Sequence, residues 1–141
     1  ISSFYDISKA AKEERIANLV YMLQMEDVIH KPVSAYSRGM KQKLLIMAAI
    51  IHEPNLIVMD EPFTGLDPST VEQLIKVINA ERERGAGILF SSHMLDIVTR
   101  ISDKVVVIKN GNILIDDEIA NVNHSGCLQK LLVGESNESA E

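Results

Sequence analysis

Apolar residues recur along this chain with two periods. Ile16, Leu19, Val20 and Leu23 fall at i, i+3, i+4 and i+7, which predicts a helix within Ser8–Met25. Lys12, Glu13, Glu14 and Arg15 would form its solvated side. Glu26 to Ala35 reads as a connector, because Lys31-Pro32 disfavours helix. Leu44, Leu45, Met47, Ala48 and Ile51 then mark a helix that ends near His52-Glu53-Pro54. Leu56-Ile57-Val58-Met59 is an uninterrupted apolar run, the pattern of a strand buried on both faces. It stops at Asp60-Glu61, and Pro62 blocks its continuation.

Asp67-Pro68 opens the next helix, with an N-cap followed by proline at the first helical position. Its inner face is Val71, Leu74, Ile75 and Ile78, and it runs to about Arg84 before Gly85-Ala86-Gly87. Ile88-Leu89-Phe90 is a second strand, Met94–Ile101 a short helix and Val105–Ile108 a third strand. Asn110-Gly111 is a hairpin signal, so Ile113-Leu114-Ile115 should pair back. A last helix would carry Leu128, Leu131 and Leu132, and the acidic end is expected to be disordered.

Strand–helix alternation from Asn55 onward predicts an α/β fold with parallel strands. The expected organisation is a helical segment over 1–53, an α/β core over 54–133 and a tail over 134–141. The 141 residues suffice for one domain with a real core. A net charge of −6 argues against nucleic acid as a partner of the whole surface. No apolar run approaches the ~18 residues of a membrane span, and no signal-peptide pattern opens the chain. The single Cys127 cannot form an internal disulfide, which suits a reducing compartment. A start at Ile1 rather than methionine points to a fragment or a processed product.

Three places could carry chemistry. Asp60 and Glu61 end a buried strand, where α/β proteins bind ligands, although two acids can also simply open a turn. Ser37 and Gly39 lie at a helix N-terminus, which suits a phosphate or an ordinary serine cap. His93 follows the second strand, at the sheet edge expected to hold Asp60 and Glu61. His30, His52 and His124 have no partner at metal-ligand spacing and read as surface residues.

In this order, the pieces resemble the ATP-binding subunit of ABC transporters. Tyr36-Ser37-Arg38-Gly39-Met40-Lys41-Gln42-Lys43 is similar to the family's signature motif, LSGGQ followed by a basic residue. Leu56–Glu61 resembles its Walker B strand with catalytic glutamate, Thr64-Gly65-Leu66-Asp67 its D-loop, and His93 its switch histidine. The resemblance spans roughly residues 1–133 and implies a P-loop ATPase core preceded by part of a helical subdomain. It implies ATP and Mg²⁺ as ligands, with Asp60 holding the metal through water. Glu61 would activate the attacking water and His93 would bond the γ-phosphate. Ser37, Arg38, Gly39 and Met40 would face the nucleotide of a second ATP-binding subunit, and Asp67 would cross that interface as well as capping its helix. Transmembrane permease subunits would be the further partners, placing the protein in the cytoplasm against the inner face of the cell membrane. The Tyr-Ser-Arg-Gly-Met-Lys-Gln variant resembles the exporter-type branch.

Two departures stand out. Arg38 and Met40 replace the usual glycine and glutamine of the signature. No G-x-x-x-x-G-K-S/T phosphate loop occurs in the chain. In the family that loop would precede Ile1, so the chain looks like the C-terminal part of a subunit, inactive alone, holding neither ATP nor Mg²⁺ tightly. The rival readings are a head ATPase of the DNA-repair or chromosome-maintenance type and a non-catalytic truncated interaction module. The first would carry heptad coiled coil and basic patches, which this chain lacks.

Overall fold

The computed structural model describes residues 9–125. The predicted helix at Leu128–Leu132, Cys127 and the acidic tail lie outside the described residues. The chain forms two compact units, one up to Ser92 and the other from His93.

In the first unit the order is α1 (Lys9–Met22), a 3₁₀ turn (Val33–Ala35), α2 (Arg38–Ile50), β1 (Leu56–Met59), α3 (Pro68–Glu83) and β2 (Gly87–Phe90). β1 and β2 pair in parallel, Leu56 opposite Gly87 and Met59 opposite Phe90. Parallel strands need a crossover, and α3 is that crossover. Its inner face holds the predicted Val71, Leu74, Ile75 and Ile78, all buried, together with Val77. α3 packs against α1, α2 and β2, which makes it the central helix of the unit. Each such fully buried aliphatic side chain contributes about 2 kcal/mol.

Several expectations need correction. β1 is buried on one face rather than two: Ile57 is inside, while Leu56 and Val58 are 64% and 66% exposed. The buried stripe of α2 is Lys43, Ile46, Met47 and Ile50, and the predicted Leu45 is exposed. Lys43 is tolerated inside because its ammonium donates to the Leu23 carbonyl at 2.9 Å. Burial pushes its pKa below the ordinary lysine value, and Asp67 acts in the opposite direction.

Arg15, expected in a solvated charge run, is instead a junction. Its guanidinium reaches Glu81 of α3 at 2.6 Å, Glu53 at 2.9 Å and the Ile50 carbonyl at 3.0 Å. Arg84 approaches the same Glu81 carboxylate at 2.9 Å from the other side. One buried carboxylate between two arginines thus ties α1, the end of α2 and α3 together.

The second unit contains α4 (Leu95–Ile101), β3 (Lys104–Lys109), β4 (Asn112–Glu118) and α5 (Ile119–Ser125). β3 and β4 form the predicted antiparallel hairpin. Asn110 and Gly111 both adopt positive φ, 51° and 77°, as a two-residue hairpin loop demands. Ile119 and Val122 of α5 form its core with Leu95, Val98, Val105, Val107 and Ile115. Among the described residues no helix is long and apolar enough to cross a membrane.

Candidate functional site

β1 delivers Asp60 and Glu61 to its carboxyl end, and the chain turns there at once. Glu61 takes φ 45°, a left-handed conformation that costs a non-glycine residue about 1–2 kcal/mol. Three contacts hold the turn. The Glu61 N–H donates to Ser91 Oγ at 2.9 Å, and the Ser91 hydroxyl donates to Asp60 Oδ1. The Thr64 hydroxyl donates to Glu61 Oε2 at 2.7 Å, which aims the carboxylate back over its own turn. Beneath them Phe63, almost fully buried, meets Phe90 edge-to-face with centroids 5.8 Å apart.

The same turn runs on to the N-terminus of α2. Gly65 has φ +71°, and a Cβ there would lie 2.7 Å from Arg38 Nη1, so the Arg38 side chain lies against this glycine. Asp67 is the N-cap of α3: its Oδ1 accepts from the Thr70 N–H at 3.0 Å and its Oδ2 from the Thr70 hydroxyl at 2.7 Å. The Thr70 hydroxyl bond, then the Thr70 backbone bond, hold the Asp67 carboxyl below the usual carboxylate range. Gly39 faces Thr70 closely, since a Cβ on it would sit 3.3 Å from the Thr70 hydroxyl oxygen. Ser37 caps α2, its hydroxyl oxygen accepting from the Met40 N–H at 3.2 Å.

One segment, residues 60–67, therefore connects both groups of expected site residues within the first unit. At one end it bears Asp60 and Glu61. At the other, Gly65 and Asp67 abut the helix end that carries Ser37, Arg38, Gly39 and Met40. His93 opens the second unit as an exposed residue just before Met94, the N-cap of α4. Of the other histidines, His30 is exposed and His52 half-buried.

Sequence reasoning gave Ser91 no role beyond its place after the second strand. Its signal was present all the same: a hydroxyl one residue past a strand whose parallel neighbour ends in two acids.

The donor set suits a divalent cation only in part. Asp60 is an exposed carboxylate with one oxygen steadied by Ser91, the arrangement of a ligand oriented by its neighbour. Among the described residues no group of three or more His, Cys, Asp or Glu side chains could hold a metal ion. Asp60 therefore fits as a group that would hold Mg²⁺ through a water, with phosphate oxygens and waters as the metal's own ligands.

Parallel strands joined by a helix, two acids at the strand end and a serine-capped helix beside the following turn make an α/β core. A family model described as "AAA domain, putative AbiEii toxin, Type IV TA system" matches residues 6–98. The chain is 34% identical over 122 residues to "Uncharacterized ABC transporter ATP-binding protein YthP" of Bacillus subtilis, covering 86% of this chain and 52% of that protein. It is 37% identical over 109 residues to "ABC-type transporter ATP-binding protein EcsA" of the same organism, covering 77% and 44%. A solved "Structure of ATP binding subunit of ABC transporter" superposes with a TM-score of 0.79 at 32% identity, over 92% of this chain and 54% of that one. The chain belongs to the AAA domain family, with the ATP-binding proteins of ABC transporters as its relatives. It spans about half the length of those relatives.

Proposed function

We propose that this chain is the C-terminal part of an ABC transporter ATP-binding subunit that hydrolyses ATP with Mg²⁺ at the interface of two such subunits. The observation that carries the reading is the fixed turn at the end of β1, where Asp60 and Glu61 are held by Ser91 and Thr64. Asp60 would hold Mg²⁺ through water, and Glu61 would accept a proton from the attacking water. Bound Mg²⁺ supplies neutralisation of phosphate charge. His93 donates to the γ-phosphate. Ser37 and Gly39 present a hydroxyl and an N–H at the α2 N-terminus to the nucleotide of the opposite subunit, with Arg38 adding positive charge and Met40 completing the motif.

Asp67 serves both as the cap of α3 and as a contact across the interface. ATP shared between two subunits favours the closed dimer, and its hydrolysis releases it, which drives permease subunits in the membrane. The site of action is the cytoplasmic face of the membrane, and the Tyr36–Lys43 variant favours an exporter. In this organisation the helical segment is 1–53, the ATPase core 54–133 and the tail 134–141. The 141-residue chain alone is inactive, because it carries no G-x-x-x-x-G-K-S/T loop to position the phosphates that Glu61 acts upon.

Light scattering on the intact subunit tests the dimer. A Glu61→Gln subunit should associate when ATP and Mg²⁺ are added, and Ser37→Glu should abolish this by setting like charge against phosphate. A Glu61→Gln subunit that stays monomeric with saturating ATP would refute the interface.

A further inference from the structure

Ser91 occupies an unusual place between the two strands of the first unit. β2 ends at Phe90, and the next residue still follows the ladder, its N–H donating to the Met59 carbonyl at 3.0 Å. That backbone bond fixes where the Ser91 side chain stands relative to β1. From there a single hydroxyl serves both acidic residues. Its oxygen accepts the Glu61 N–H at 2.9 Å, and its proton goes to Asp60 Oδ1. Both halves of one O–H group are thus in use, one as acceptor and one as donor.

The two bonds do different things. The bond from Glu61 supports the left-handed φ of 45° at that residue and so sets the direction in which its side chain leaves the strand. The bond to Asp60 anchors one carboxylate oxygen, Oδ1, of a side chain that is itself exposed. A carboxylate anchored through one oxygen presents the other in a defined direction, as oriented metal ligands do. Alanine would remove both bonds at once. Threonine would keep a hydroxyl on the same carbon.

We propose that Ser91 is a positioning residue for hydrolysis, one hydroxyl that orients the Asp60 carboxylate toward Mg²⁺ and fixes the backbone from which Glu61 reaches the water. The inference rests on the reading of Asp60 and Glu61 given above. It adds a residue outside the motifs through which that reading was reached.

The test uses the intact subunit with Ser91→Ala, Ser91→Thr and Ser91→Cys. Steady-state hydrolysis gives kcat and KM. Mn²⁺ affinity in the presence of ATP is read by electron paramagnetic resonance in a Glu61→Gln background, where turnover does not interfere. Ser91→Ala should lower kcat and Mn²⁺ affinity by roughly 10- to 100-fold, the usual cost of losing a residue that orients a metal ligand. KM for ATP should stay within about twofold if phosphate binding lies elsewhere. Ser91→Thr should restore kcat and metal affinity to within a few-fold. Backbone amide exchange at Glu61 should quicken in Ser91→Ala and slow again in Ser91→Thr.

Ser91→Cys keeps the volume with only a weak donor, and it carries the test if the alanine variant fails to fold; it should resemble alanine. The inference is overturned if Ser91→Ala or Ser91→Cys keeps wild-type kcat and metal affinity, or if Ser91→Thr loses as much as Ser91→Ala. Asp60→Asn and Glu61→Gln are the controls. If neither slows hydrolysis, the reading of the acids fails and this inference falls with it. If both do and Ser91→Ala does not, only the role of Ser91 is lost.

Discussion

The guanidinium of Arg38 lies against Gly65, so closely that a Cβ on the glycine would stand 2.7 Å from Arg38 Nη1. Arg38, one of the two departures from the resembled signature, is thereby fitted to a glycine of the turn that follows Asp60 and Glu61. Gly65 is required on two grounds, its φ of +71° and this contact. Arginine ends are mobile, so the backbone conformation supplies most of the penalty. Gly65→Ala should cost about 1–2 kcal/mol in urea unfolding. Adding Arg38→Ala should recover only a small part of it, and a full rescue would show that the contact dominates.

Asp67 caps α3 through both carboxylate oxygens. Its folded pKa is depressed, first by the Thr70 hydroxyl bond. A depressed carboxyl contributes stability above its unfolded value of about 3.9, and that contribution disappears as pH falls through the lower folded value. Asp67→Ala should therefore lower the urea midpoint at pH 7. Its deficit relative to wild type should shrink as the pH is taken down through the carboxylate range. A deficit independent of pH would contradict the assignment.

Glu81 is buried between Arg15 and Arg84. Removing it takes away the carboxylate that two largely buried guanidinium groups share, leaving Arg15 with the more exposed Glu53 and Arg84 with the Pro54 carbonyl. Glu81→Ala should destabilise the fold by about 3 kcal/mol, as expected when one partner of a buried pair is deleted. Glu81→Gln should cost less, since it retains an acceptor. Thermal unfolding of the two variants checks the order.

Val58 and Leu89 are opposite one another on β1 and β2, and both are exposed, as is Leu56. An open apolar face of this kind promotes association in water. The 141-residue chain by itself should self-associate in light scattering, and Val58→Lys with Leu89→Lys should reduce the association. A monodisperse wild-type monomer would count against it.

Much of this organisation is legible in local chemistry. Asp67-Pro68 specifies a helix start and Asn110-Gly111 a hairpin, because each needs only its own backbone preferences. Burial was harder to read. α2 is apolar nearly all round through Leu44–Ile50, so periodicity could not choose between Leu45, which is exposed, and Ile46, which is not. The continuous run of β1 suggests two buried faces, yet only Ile57 is fully buried and Met59 partly so. Arg15 looked like one charge in a run, and its partners Glu53 and Glu81 are distant in sequence. For the same reason the position of Asp60 and Glu61 was evident while the hydroxyl of Ser91, which holds them, was not.

The most direct measurement is ATP turnover by the intact subunit, with and without Glu61→Gln, beside the 141-residue chain at equal concentration. The intact subunit should turn over, Glu61→Gln should slow it at least about 100-fold as for a lost general base, and the chain alone should show nothing. An intact Glu61→Gln subunit that keeps its rate, or a lone chain whose turnover Glu61→Gln abolishes, would contradict the account.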